Sequence, residues 1–345
     1  MRGLVSIGVL AIVMTASRSP APVVAQTRSP VGTSSTGAPW IPPRTLDGQV
    51  DLEGVWDFGT ITPLERPSGL RDKQVFTDEE AVAFEREENR RQNRDLIDPV
   101  KGGAQYPPGG VVPYNEFWYE RGSRIIGSKR TSLIVDPPDG RIPFTPEGRK
   151  RVETLAAAAL DEQLGRARAD SWEDRSLADR CMLGFNAGPP MTPGAYNNHV
   201  QIVQSAVQVV MVAEMVHDAR VIPLDGRPHA PPHVRQYKGD SRGRWEGRTL
   251  VIDTVNFLRE TSFRGSSANL HLVERLTRLD ADTLLYEFTV DDPAMWTRPW
   301  TAAIPMKKVS GPVYEYACHE GNYAMANILS GARADERARQ ARPDP

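Results

Sequence analysis

The sequence lacks the short motifs that identify many enzymes and nucleotide-binding proteins. It contains no phosphate-binding Walker loop, no Gly-x-Gly-x-x-Gly after a predicted strand, and no His-Glu-x-x-His. A nucleotide cofactor therefore has no support in the sequence, and we expect a protein that works without any cofactor.

Cysteine is scarce: the 345 residues include two, Cys181 and Cys318. There is no Cys-x-x-Cys pair, so a cysteine-based zinc site is not expected. An even pair in an exported protein predicts one disulfide. In the chain-entropy treatment, closing so long a loop stabilises the folded state by about 4–5 kcal/mol.

Positively and negatively charged residues are present in nearly equal numbers. Lys and Arg number 42 and Asp and Glu number 44, which gives a formal net charge of −2. Basic residues are interleaved with acidic ones along the chain. Neither nucleic acid nor an anionic membrane surface is therefore an expected partner.

The longest hydrophobic run lies at the N-terminus and is too short to span a bilayer. A basic start, Met1–Gly3, precedes the uncharged stretch Leu4–Ala16, and small residues end at Ala25. This pattern predicts a secretory signal peptide over residues 1–25, with an uncleaved N-terminal anchor as the alternative. The mature protein is then periplasmic or extracellular, with no membrane span. We leave its oligomeric state open.

Glycine and proline are plentiful, at 28 and 29 residues, which argues against a helical bundle. From Val200 onward, alternating apolar residues separated by turn signals predict consecutive antiparallel strands. The predicted fold class is mainly β: an antiparallel meander that forms a lipocalin-like barrel or a sandwich. Two helices and long Pro/Gly-rich loops accompany it.

The predicted organisation has five parts. They are a signal peptide (1–25), a disordered tether (26–43), a mixed helix and loop segment packed on the sheet (44–180), an antiparallel β domain (181–323) and a polar C-terminal tail (324–345).

Within this plan, a capping box predicts a helix after Thr77, and Pro146 at the first position predicts another. Helical spacing predicts that the second helix buries its face of Val152, Leu155, Leu160 and Leu164. The predicted strands include Val207–His217, Arg248–Phe257, Leu270–Leu279, Thr283–Asp291, Thr301–Val309 and Val313–Cys318.

The first candidate for chemistry is the stretch Glu214–Arg220, which includes Glu214, His217, Asp218 and Arg220. Histidine in catalysis needs a carboxylate to orient it, and arginine can bind an oxyanion. On one continuous strand, Glu214 and Asp218 would share a face and His217 would point the other way. The alternative is a hairpin end with a surface ion pair.

Two further histidines are candidates. His319 and Glu320 follow Cys318, and a disulfide would hold them rigidly; polar contacts at a strand end are the alternative interpretation. His271 lies three residues before Glu274 on a predicted strand, so at most one of the two faces a cavity.

Aromatic residues supply a candidate ligand surface. Trp296 and Trp300 flank Arg298, a grouping that can stack on sugar rings or aromatic ligands. Trp245 lies in a glycine-bracketed turn and could plug the end of a barrel. Packing at the rim of the fold is the alternative for both.

Four segments resemble an abundant family of exported bacterial proteins. They are RCMLGFNAGPP (180–190), EMVHDAR (214–220), GDSRGRWEGRTLVIDT (239–254) and ACHEGNY (317–323). The resemblance covers nearly the whole mature chain. It implies an exported protein and implies no particular reaction.

Three hypotheses for function follow from these residues. The first is a cofactor-independent hydrolase, lyase or isomerase acting on a small sugar-like or aromatic molecule. In it, His217 or His319 is the general base, Glu214 or Glu320 the partner acid, and Arg220 the electrostatic stabiliser. The second is a non-catalytic binder of a small ligand that uses the tryptophans. The third is a metal site built from two or three of His217, His271 and His319.

Overall fold

A computed structural model describes residues 40–98, 100–103, 114–261 and 263–341. The expected signal peptide and most of the expected tether lie outside these residues. Within them, no helix is long and apolar enough to cross a membrane.

One antiparallel sheet forms the body of the protein, which confirms the mainly β fold class. Its strands are β1 (Gly54–Asp57), β2 (Ile134–Asp136), β3 (His199–Gln204), β4 (Gln208–Ala213), β5 (Asp218–Pro223), β6 (Asp240–Glu246), β7 (Thr249–Val255), β8 (His271–Arg278), β9 (Thr283–Asp291) and β10 (Trp300–Val309). The helices are α1 (Asp78–Gln92), α2 (Pro146–Gln163) and α3 (Tyr323–Gln340).

The strands run in the order β5-β4-β3-β1-β10-β9-β8-β7-β6, and β2 pairs with β10 beside this path. The two outer strands, β5 and β6, contact each other. Their backbones form no hydrogen-bonded ladder among the described residues, so the sheet curls without closing into a barrel. Gly243 allows the close approach, because a Cβ there would lie 2.6 Å from Leu224 Cδ2.

The core lies on the inner face of the curled sheet. Burial alternates along β8, β9 and β10, as expected when one face of each strand is covered. Trp56, Tyr286 and Trp300 are fully buried there.

The structure corrects several local predictions. β4 ends at Ala213 rather than at His217, because Val216 and His217 adopt left-handed φ values of 54° and 51°. The prediction that Glu214 and Asp218 share one strand face with His217 opposite is therefore wrong. Residues 313–318 form no strand.

Two other expectations also change. Of the face predicted to be buried in α2, Leu155 and Leu160 are exposed, whereas Val152 is half-buried and packs against the core. The fully buried residue of α2 is Gly148, packed against the Met295 carbonyl. Pro42, assigned to the tether, is buried.

Candidate acid/base site

Three neighbouring strands end at one rim of the sheet. β3 is antiparallel to both β1 and β4, so its first residue, His199, lies beside Asp57, the last residue of β1. Glu214 follows the last residue of β4, and its backbone N–H donates to the His199 carbonyl at 2.9 Å. The register thus brings together side chains that are far apart in sequence.

The closest contact at this rim joins a histidine and a buried carboxylate. His199 Nδ1 lies 2.7 Å from Glu214 Oε2, and the Glu214 side chain is 4% exposed. Glu120 Oε1 is 3.7 Å from the same nitrogen. No described residue forms a hydrogen bond with His199 Nε2, so this nitrogen is available to a ligand.

The electrostatics follow from this arrangement. The hydrogen bond to Glu214 raises the pKa of His199, against the effect of burial, and nearby Glu120 and Asp57 add to the rise. Burial acts to raise the pKa of Glu214, but the hydrogen bond and charge of His199 outweigh it and the pKa is lowered. Burial also raises the pKa of Glu120 and of Asp57.

Buried amides hold the loop that precedes β3. Asn186 Nδ2 donates to the carbonyls of Tyr196 (2.9 Å) and Asn197 (3.0 Å). Asn198 Nδ2 donates to the Glu120 carbonyl at 3.0 Å. Asn197 adopts a left-handed φ of 54°. The amide bonds fix the backbone of this loop and join it to the backbone of Glu120.

An aromatic cluster lies next to the acid/base residues. The Tyr196 ring contacts the rings of Phe185, Tyr119 and Tyr114 at centroid distances of 5.5, 6.2 and 6.3 Å. Phe185 and Tyr114 are substantially exposed. Flat, partly exposed rings can pack against an aromatic or sugar ring.

The segment 314–322 crosses the same rim and is fastened at several points. The Tyr316 N–H donates to His217 Nδ1 at 3.1 Å, and Asn322 Nδ2 donates to the Asp179 carbonyl at 3.0 Å. The predicted disulfide between Cys181 and Cys318 is present, with Cα atoms 5.6 Å apart. Together these contacts keep the C-terminal segment against the site.

The structure brings one of the sequence-predicted acid/base residues, Glu214, into this cluster. His217 is exposed and accepts from Tyr316. Asp218 pairs with Lys238, and Arg220 pairs with the fully buried Glu274, its Nη1 lying 2.8 Å from Glu274 Oε2. His319 and Glu320 are exposed.

The predicted ligand-binding residues are dispersed. Trp296 and Trp300 lie in the core, 1% and 0% exposed, so they present no face to a ligand. Trp245 is half-buried against the core. Arg298 pairs with Asp136 at 2.7 Å, and His271 Nε2 lies 2.9 Å from Asp253 Oδ2.

A serine motif was not among the candidates predicted from the sequence. Residues 239–243 read Gly-Asp-Ser-Arg-Gly, which matches the Gly-x-Ser-x-Gly pattern of serine hydrolases. The structure places Ser241 inside β6, buried and hydrogen-bonded to Thr254 at 3.0 Å. There is no strand-to-helix turn at this point, so the motif does not expose a nucleophile.

His199 and Glu120 were not among the residues predicted from the sequence. Both lie in segments without a motif, and only strand pairing brings them to Glu214. A polar Asn-Asn-His run directly before an apolar strand was the available signal.

Comparison of the chain with protein-family models, with curated proteins and with solved structures finds no match. The site's own geometry must therefore support any functional assignment.

Proposed function

We propose that this protein is an exported acid/base enzyme in which His199 transfers the proton and Glu214 orients it. The supporting observation is the 2.7 Å contact between His199 Nδ1 and a buried carboxylate, with no described residue hydrogen-bonded to Nε2. This is the arrangement by which a carboxylate fixes the tautomer and direction of a catalytic imidazole.

The chain's own residues have separate roles in this reaction. With its proton on Nδ1 bonded to Glu214, neutral His199 offers Nε2 as a base; once protonated, it returns the proton to a leaving group. Glu120, exposed beside the pair, contacts the substrate's polar groups. Tyr196 and its neighbouring rings bind an aromatic or sugar ring. The reaction class is hydrolysis, elimination or isomerisation of such a molecule.

Purified mature protein should be tested against chromogenic aryl esters and aryl glycosides, with untargeted metabolite turnover as a wider screen. We expect His199→Gln to lower turnover by about 10²–10⁴-fold, the usual contribution of a general acid/base. His319→Gln is the matched control, because His319 is an exposed histidine outside the cluster. Loss of turnover in the His319 variant, with turnover kept in the His199 variant, would contradict the proposal.

A second candidate function is divalent-cation binding at the same rim. One ligand atom each from Glu120, His199 and Glu214 lies within 4.8 Å of the others, and this is the one such group among the described residues. A mixed histidine and carboxylate set suits Zn²⁺ or Mn²⁺. The expected combination of His217, His271 and His319 does not form there, since His217 and His271 bond to different partners.

Titration calorimetry with Zn²⁺ and Mn²⁺ separates the two candidates. A metal site requires one ion per chain, with binding lost in Glu120→Gln and retained in His319→Gln. If neither ion binds and turnover still depends on His199, the result supports the acid/base function and excludes the metal site.

A further inference from the structure

A cavity lined by described residues lies away from His199. Its volume is about 320 Å³, at the lower end of the range for small-molecule sites. It is lined by residues 60–64, by residues 192–195, by the end of α1, and by Arg94, Arg121 and Arg264. Glu120 reaches His199, whereas the next residue, Arg121, lines the cavity. The acid/base site and the cavity are therefore distinct.

Arg121 carries an unused hydrogen-bond donor at this cavity. Its side chain is 10% exposed, and its Nη1 donates to Glu116 Oε1 at 2.7 Å. Its Nη2 is buried and has no hydrogen-bond partner among the described residues. Because buried donors are almost always paired in folded proteins, this group calls for an acceptor that those residues do not supply.

Positive charge is concentrated at the cavity. The guanidinium groups of Arg94 and Arg121 lie 5.2 and 4.4 Å from the centroid of the same ring, Tyr119. Arg264 joins them from the turn Phe263–Gly265. One acidic residue, Glu88, is in the lining, and it already forms an ion pair with Arg91. Like charges held this close favour a bound anion.

We propose that this cavity is a binding site for a small organic anion whose carboxylate or phosphate group accepts from Arg121 Nη2. Arg264 supplies further positive charge from the same lining. The guanidinium fork matches the two oxygens of a carboxylate or phosphate better than a lysine ammonium does. The rest of the ligand packs against Ile61, Leu64 and Leu133, which line the same cavity. This ligand site is independent of the proposed proton transfer at His199.

The probes are inorganic phosphate and benzoate, with benzamide as the neutral match for benzoate. Binding is measured by calorimetry and by the rise in Tm of the mature protein. Saturable binding of benzoate but not benzamide supports a carboxylate ligand, and saturable binding of phosphate supports a phosphate ligand. Binding of neither anion at about 10 mM, or equal binding of benzoate and benzamide, overturns the proposal.

Variants locate the site. We expect Arg121→Lys and Arg264→Gln each to weaken anion binding about tenfold or more. Arg124→Gln is the matched control, because Arg124 is an exposed arginine that pairs with Glu85 outside the cavity lining. Since Arg264 is exposed, its variant provides the test even if Arg121→Lys fails to fold. Equal weakening in Arg124→Gln overturns the assignment, whereas unchanged anion binding in His199→Gln confirms that the two sites are separate.

Discussion

His199 Nδ1 and Glu214 Oε2 lie 2.7 Å apart although 15 residues separate them along the chain. The pairing of β3 with β4 makes the contact, because it places the start of one strand beside the end of the other. A buried carboxylate in this position makes the imidazole more basic and fixes its orientation, which is the basis of the first two predictions below.

Glu214→Gln should lower the pKa of His199. The largest cause of its raised pKa is the hydrogen bond to Glu214, and a neutral amide removes both that charge-assisted bond and the attraction. NMR titration of the His199 ring protons measures the change. Glu320→Gln, at an exposed position, is the control and should leave the His199 titration unchanged. An unaltered His199 pKa in Glu214→Gln would show that the pair is not coupled.

The same pair should make stability depend on pH. The pKa of His199 is raised above 6.5, so its contribution is complete below about pH 6.5 and is lost as pH rises through the raised value. The pKa of Glu214 is lowered below 4.5, so its contribution is present above about pH 4.5 and is lost as pH falls through the lowered value. The free energy of unfolding of wild type relative to Glu214→Gln should therefore be greatest between about pH 4.5 and 6.5. Urea unfolding at several pH values measures it, and a flat difference from pH 4 to pH 9 would contradict the coupling.

Arg220 should contribute to stability through its buried ion pair. Its partner Glu274 is fully buried and also accepts from the Tyr286 hydroxyl at 2.8 Å. Arg220→Met leaves that carboxylate without its cation, so we expect a loss of about 3–5 kcal/mol in the free energy of unfolding.

The double variant Arg220→Met, Glu274→Leu is the control for this prediction, since it removes both charges and should recover much of the loss. Denaturant unfolding measures both variants. If Arg220→Met keeps wild-type stability and loses turnover, Arg220 acts on the substrate as the sequence analysis proposed.

Trp300 should behave as a core residue. It is fully buried, and its ring contacts those of Phe288 and Trp296 at centroid distances of 5.8 and 5.7 Å. Trp300→Ala should therefore cost about 3–5 kcal/mol of unfolding free energy. Trp118→Ala, at a position 64% exposed, should cost far less. Similar small losses in both variants would restore Trp300 as a candidate for ligand binding.

Removing the disulfide between Cys181 and Cys318 should make the segment 314–322 more mobile. Cys181 and Cys318 close a loop of 137 residues, and Asn322 Nδ2 adds a bond to the Asp179 carbonyl at 3.0 Å. In Cys181→Ser, Cys318→Ser, we expect faster amide exchange at Tyr316 and a loss of up to about 4–5 kcal/mol in stability. Amides of β9, in the centre of the sheet, serve as the internal reference. Unchanged exchange at Tyr316 would mean that the hydrogen bond to His217 suffices to hold the segment.

Several features could be predicted because they depend on neighbours in sequence. Alternation of apolar residues indicated β8, β9 and their turn, since strand faces follow a period of two. The capping box at Thr77 and Glu80 is local and is present in α1. The scarcity of cysteine left one possible intramolecular pair, and the structure contains it.

The sequence by itself determined the antiparallel β class and the starts of α1 and α2, and it made Glu214 a candidate site residue. Only the tertiary structure decided which histidine forms a hydrogen bond with Glu214. Two left-handed residues, Val216 and His217, turn the chain between β4 and β5, and strand register then brings His199 to the carboxylate. Burial likewise decided the role of Trp300, because a tryptophan in a core and one on a binding surface occur in the same kind of local sequence. Local patterns encode secondary structure, whereas a site depends on contacts between distant segments that no single segment specifies.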